Sequence, residues 1–181
     1  MRPILRLVLL AGVVATPAVA QPHKAAAAAK PAAAASASNA PKQLGKFEDW
    51  VAATHQESGA TVCYAFTRAQ SSAPSLPGRG EVVLTVTERP TGRDAVAISA
   101  GFPYPQGATV TVQVDQSGYD FYTAGRNAFA RDGKAAVVAF QKGSRAIARS
   151  PGPKDQQITD TFSLTGFSAA YAATVKACPP K

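Results

Sequence analysis

The sequence predicts a mainly β fold: an antiparallel, β-sandwich-like or strongly bent sheet carrying one or two short helices, one of them C-terminal. Three observations predict it. Strand-length runs rich in β-branched and aromatic residues recur from residue 61 to residue 164. Gly and Pro clusters punctuate them. The regular strand-helix alternation that a parallel α/β sheet requires does not occur.

Taken in order, residues 46–52 open the domain, with Phe47 and Trp50 as early core anchors. Residues 61–67 alternate as a strand, and 71–80 are a Ser, Pro and Gly cluster that reads as a surface loop. Residues 81–88 and 94–99 flank Arg89-Pro90-Thr91-Gly92-Arg93, whose Pro and Gly supply turn geometry for a hairpin. An irregular Pro-rich crossing at 101–105 follows. Residues 109–115 then alternate and turn at Gln116-Ser117-Gly118 into 119–122, a second hairpin. Across 131–142 a helix is preferred over a strand: Asp132 is placed to cap it, Val137, Val138 and Phe140 to pack, and Gly143 to close it. Two late strands, 144–149 and 157–164, are separated by Ser150-Pro151-Gly152-Pro153. Residues 166–175 form a last helix with Phe167, Ala170, Tyr171 and Thr174 on one side, which brings Cys178 back toward Cys63.

The N-terminus reads as an export signal. Arg2 and Arg6 precede and interrupt an apolar run ending at Val14, and Ala18-Val19-Ala20 is the small-x-small pattern of a cleavage site. Residues 1–20 are therefore expected to be removed near Ala20, which places the mature chain in the periplasm or outside the cell. The run is shorter than the roughly 20 apolar residues of a spanning helix, and no later segment reaches that length without interruption. No Cys follows the cleavage pattern, so no lipid anchor is expected. Residues 21–42, almost wholly Ala, Pro, Lys, Ser and Asn, contain nothing to form a core and read as a flexible linker. Residues 43–181 remain as a single β-rich domain.

The net charge of +8 falls to +6 without Arg2 and Arg6, and to about +3 on the domain without Lys24, Lys30 and Lys42. The domain's cations are interleaved with acids and form no stripe, which argues against nucleic acid as a partner. Two cysteines in an exported chain pair most often, so Cys63 and Cys178 are expected to form a structural disulfide. Closing a loop of that size is worth at most about 4–5 kcal/mol by chain entropy. A redox dithiol would favour Cys-x-x-Cys, which is absent, and His23 and His55 do not complete a zinc set with the two cysteines.

No hydrolase elbow, phosphate loop, dinucleotide fingerprint or zinc-protease motif is present, so no catalytic residue, cofactor or metal ligand is assigned. His55, in a polar stretch, reads as an exposed turn residue. Glu48 and Asp49, and Asp155 and Asp160, read as solvated or turn-capping acids in preference to a glycosidase-like carboxylate pair. Tyr104, Tyr119, Phe121 and Tyr122 are the candidate binding surface, a platform for sugars or peptides, with core and edge packing as the favoured alternative.

Residues 159–170, with Ser163-Leu164-Thr165-Gly166-Phe167 at their centre and Cys178 beyond, resemble the Ser-Leu-x-Gly-Phe-x-x-Ala signature of the invasion-associated locus B proteins. Phe47-x-x-Trp50 and Val62-Cys63-Tyr64-Ala65 resemble that family's opening, and Lys142-Gly143 falls in the matching place, so the likeness covers about residues 46–179. Residues 125–130 lack the additional cysteine pair that many members carry nearby. The resemblance implies a secreted or periplasmic, envelope-associated protein, in some pathogens linked to entry into host cells, and brings no catalytic residue with it. The expectation is a non-enzymatic envelope protein that binds another envelope or surface component through its exposed β surface, with the linker as a tether. A carboxylate-dependent hydrolase of envelope material and a host-surface adhesin are the rivals.

Overall fold

Alternation of apolar and polar side chains, cut by tight turns, divides the chain into short strands that pair with their neighbours. A computed structural model of the protein describes residues 40–180. The expected leader (1–20) and all but the end of the expected linker lie outside the described residues. Among these, the strands are β1 (Lys42–Phe47), β2 (Trp50–Glu57), β3 (Ala60–Arg68), β4 (Ser71–Ala73), β5 (Val83–Arg89), β6 (Gly92–Ser99), β7 (Thr109–Val114), β8 (Ser117–Ala124), β9 (Asn127–Ala130), β10 (Arg145–Pro151) and β11 (Gln157–Ser163). The helices are α1 (Gly133–Lys142) and α2 (Phe167–Ala177). The strands form one antiparallel sheet in the order β1-β2-β3-β5-β6-β9-β8-β7-β10-β11-β4.

The sheet is open but strongly bent. Trp50 Nε1, one strand in from one edge, donates to the Ser163 carbonyl one strand in from the other, at 3.0 Å. Gln70 N, just past β3, donates to Thr161 O at 2.8 Å. The concave side holds a continuous core that includes Trp50, Leu84, Ile98, Phe121 and Phe162. Both helices pack into it, α1 through Ala136, Val137 and Phe140 and α2 through Phe167 and Ala170. Phe167 is the hinge of this packing, 4.7 Å from the Trp50 ring and edge-on to Phe140 at 5.6 Å. Burying aromatic side chains of this size contributes roughly 1.5–3 kcal/mol each.

Local chemistry explains the helix ends. Asp132 accepts a hydrogen bond from Ala135 N at 2.9 Å, the expected cap, and Gly143 N–H closes on Ala139 O. Gly133 packs so tightly on the β6 backbone that a Cβ would overlap Asp94 O. Gly166 starts α2 at φ +89°, a left-handed conformation, with Phe47 O where its Cβ would lie. Among the described residues no helix is long and apolar enough to cross a membrane.

Several expectations change in detail. The single opening element at 46–52 is a hairpin, split at Glu48-Asp49, with Glu48 at φ +50°. Lys42, assigned to the linker, is the first residue of β1 and pairs with Thr54. The loop at 71–80 begins with β4, three residues without an alternating pattern, held on β11 by pairing across Ser72 and Asp160. Residues 127–130 form β9, too short to show a period. Ser150 and Pro151 extend β10. On α1 Val138 points outward and is 43% exposed, because residues 136, 137 and 140 define the buried side.

Candidate functional site

Strand register allows positions to be followed straight across the convex side of the sheet. Val51 pairs with Phe66, Phe66 with Thr85, Thr85 with Ala97, Ala97 with Phe129, Phe129 with Tyr122, and Tyr122 with Thr109. Their chain neighbours Ala65, Leu84, Ile98, Ala128 and Phe121 are fully buried, so the row itself faces away from the core. It remains half-buried to exposed, with Tyr122 at 45%. The row places small side chains, Thr85 and Ala97, between two aromatic patches. In one, Tyr64 stacks on Phe66 with centroids 6.0 Å apart, His55 meets Tyr64 edge-on at 5.4 Å, and the Arg68 guanidinium lies 5.9 Å from the Phe66 ring centre. Partial burial raises the Tyr64 hydroxyl above its ordinary value. In the other, Tyr122 stacks on Phe129 at 5.5 Å and Arg131 lies 5.8 Å from the Tyr122 ring centre. Both helices pack on the opposite side, where the core is.

The four sequence-predicted aromatics do not make one surface. Alternation along β8 sends Tyr122 outward and Tyr119 and Phe121 inward: Phe121 is fully buried and Tyr119 packs on the core margin. Tyr104 lies in the β6–β7 crossing, edge-on to Phe102 at 5.3 Å. Burial, reinforced by the Asp160 charge, pushes its hydroxyl up to about 12. The exposed patches instead use Tyr64, Phe66 and Phe129. Tyr64 and Phe66 were detectable, since they bracket Ala65 in an alternating strand; Phe129 lies in a strand too short to reveal its phase.

The acids also fall into unexpected places. His55 is in β2, not a turn, with Nε2 3.5 Å from Glu57 Oε2. Glu57 is held below its ordinary value, chiefly by a hydrogen bond from Arg89. Asp160, expected to be solvated, is buried mid-strand in β11. Arg79 grips it with both Nη atoms, at 2.8 and 2.7 Å, and Ser72 Oγ donates to Oδ1 at 2.7 Å. Glu88, at the end of β5, is fully buried as well. Its Oε1 accepts from Asp94 N at 3.2 Å, while Arg93 Nη2 lies 2.8 Å from Oε2 but off the hydrogen-bond line, so Oε2 accepts no hydrogen bond. Burial first, and the neighbouring Asp94 charge second, push the Glu88 carboxyl up to about 7. Tyr171 of α2 donates to Asp94 Oδ1 at 2.5 Å, and burial together with that bond raises its hydroxyl well above the ordinary range. The Glu88–Asp94 pair is thus capped by α2, and Glu88 meets no open groove. Among the described residues no three His, Cys, Asp or Glu side chains converge as metal ligands.

Cys63 and Cys178 are bonded, with Cα atoms 6.0 Å apart across 115 residues of sequence, which fixes the end of α2 to β3. Arg93 Nη1 donates to Cys178 O at 2.8 Å, so the same arginine reaches both Glu88 and the disulfide.

The family profile of the invasion associated locus B (IalB) protein matches residues 50–175. The crystal structure of invasion associated protein B from Bartonella henselae is similar in fold, with a TM-score of 0.55 at 18% identity, over 74% of this chain and 95% of that one. No curated protein sequence matches.

Proposed function

Because the chain belongs to the invasion associated locus B family, we propose that it is a non-enzymatic protein of the cell envelope, exported by its leader, that binds another envelope component through the convex face of its sheet. The transverse row from Phe66 to Tyr122 carries this reading: two aromatic patches, each with an arginine against a ring, flank a strip of small side chains that neither helix covers. Aromatic and arginine side chains are the types that dominate binding energy at protein surfaces. The leader pattern and the Cys63–Cys178 bond support an oxidising, extracytoplasmic compartment. The hydrolase reading gains nothing from the acids, since Asp160 is neutralised by Arg79 and Glu88 is sealed under α2. A host-surface partner for the same face is the second reading, favoured by the name of the Bartonella relative.

Photo-crosslinking in intact cells tests this directly. A crosslinker at Ala97 or Tyr122 is expected to capture a discrete partner, and one at Gln141, on the exposed side of α1, is expected not to. Equal capture from both positions, or none from the row, would overturn the reading.

A further inference from the structure

Loops at the ends of β4, β6, β8 and β10 enclose a cleft of about 530 Å3, within the usual size of small-ligand sites and separate from the transverse row. Its floor is rigidly built. The Arg79 side chain, 6% exposed, donates from Nε to Ala100 O at 2.7 Å and from both Nη atoms to Asp160, and its guanidinium lies 4.9 Å from the Phe102 ring centre. The Arg79 charge is therefore consumed inside the protein. The rim differs. Arg126 is exposed and donates from Nη2 to Gly101 O at 2.5 Å, and its other donors meet no carboxylate among the described side chains. Lys154 is exposed and held in a left-handed conformation, φ 58° and ψ 36°, in the turn between β10 and β11, and it too pairs with no carboxylate among the described side chains. Both side chains line the cleft, and among the described side chains no Asp or Glu does. The remaining walls, Leu76, Pro77, Phe102 and Pro103 among them, are apolar.

Two cations that no described carboxylate compensates, beside an apolar wall, define the ligand by complementarity. A lone carboxylate needs one arginine fork, whereas a phosphate monoester carries about −1.5 to −2 charges at neutral pH and three acceptor oxygens. We propose that this cleft binds a phosphate monoester on a compact apolar stem, with the phosphate between Arg126 and Lys154 and the stem against Phe102 and Pro103. The site stands apart from the convex face and does not depend on what that face binds.

Phenyl phosphate is the probe, titrated into the isotope-labelled mature chain and followed by amide shifts, with benzoate and inorganic phosphate in parallel. Phenyl phosphate is expected to shift the amides of Gly78, Gly101, Arg126 and Lys154 and to bind more tightly than either control. Arg126→Gln and Lys154→Gln are each expected to weaken it by about tenfold, the loss of one charge-assisted contact, with unchanged melting for Lys154→Gln, whose side chain is exposed. The proposal is overturned if these amides do not respond at millimolar probe, if benzoate or inorganic phosphate binds as well, or if the double variant binds like the parent.

Discussion

Asp160 and Glu88 are both carboxylates on the inward side of a strand, both buried and both beside an arginine, yet their surroundings differ. Asp160 receives two guanidinium hydrogen bonds and a serine hydroxyl, so each oxygen is satisfied. Glu88 receives one long backbone bond, faces a second acid, and keeps one oxygen without a hydrogen bond. Two similar-looking ion pairs therefore act in opposite ways at neutral pH. The first holds the β4–β5 loop onto β11; the second, its carboxyl pushed up to about 7, is only partly ionised there, where an ordinary glutamate has lost its proton.

Removing the arginine should separate them most sharply. Arg79→Ala strands a buried carboxylate and should cost roughly 3–5 kcal/mol of unfolding free energy, read as a lower denaturant midpoint. Arg79→Leu with Asp160→Leu should recover most of it. A loss no larger than that of an exposed substitution would show that Asp160 finds water instead.

The disulfide acts on the second pair alone, because it anchors the helix that caps it. Replacing Cys63 and Cys178 with serine should cost about 2–4 kcal/mol, below the loop-closure ceiling because Phe167 and Ala170 still hold α2. Glu88 should then titrate nearer its ordinary value of 4.5. Unaltered Glu88 titration, followed by carboxyl NMR, would mean that α2 stays seated without the bond.

Acidity gives the third comparison. A carboxyl whose folded value is raised from 4.5 to about 7 binds its proton more tightly in the fold. The stability it contributes is therefore complete below about pH 4.5 and is lost as pH rises through 7, with an upper bound on the order of 3 kcal/mol. Glu88→Gln should remove that slope and leave the protein at least as stable at pH 8. Denaturation midpoints at pH 5 and pH 8 for both proteins check this; parallel slopes would place the proton elsewhere. The smallest effect belongs outside the core: Tyr122→Ser should change stability by less than about 0.5 kcal/mol, so any loss of partner capture from the convex face can be assigned to binding.

Much of this architecture was readable from residue order, and the failures have a common cause. Gly and Pro between alternating runs located the hairpins β5–β6 and β7–β8, Asp132 located α1, and the presence of two cysteines behind an expected export leader pointed to the Cys63–Cys178 bond. The phase of alternation was the neglected signal. Ile158, Asp160 and Phe162 share one side of β11, and Leu84, Val86 and Glu88 share one side of β5, so each acid sits where the next apolar core residue belongs. The same phase on β8 separates Phe121 from Tyr122. The partners were a different matter. Arg93 is close in sequence to Glu88, but Arg79 reaches Asp160 from a loop 81 positions away, and only the bend of the sheet brings them together.

An open sheet has two raw edges, each offering unpaired backbone groups to any passing strand. Here β4 is three residues long and runs straight into Pro74, which has no N–H to give. At the other edge β1 carries Lys42 and Lys46, and its register with β2 slips between Gln43 and Gly45. Charge, brevity and irregularity make both ends poor templates for edge-to-edge growth, so a sheet that never closes into a barrel is still protected against aggregating with its own copies.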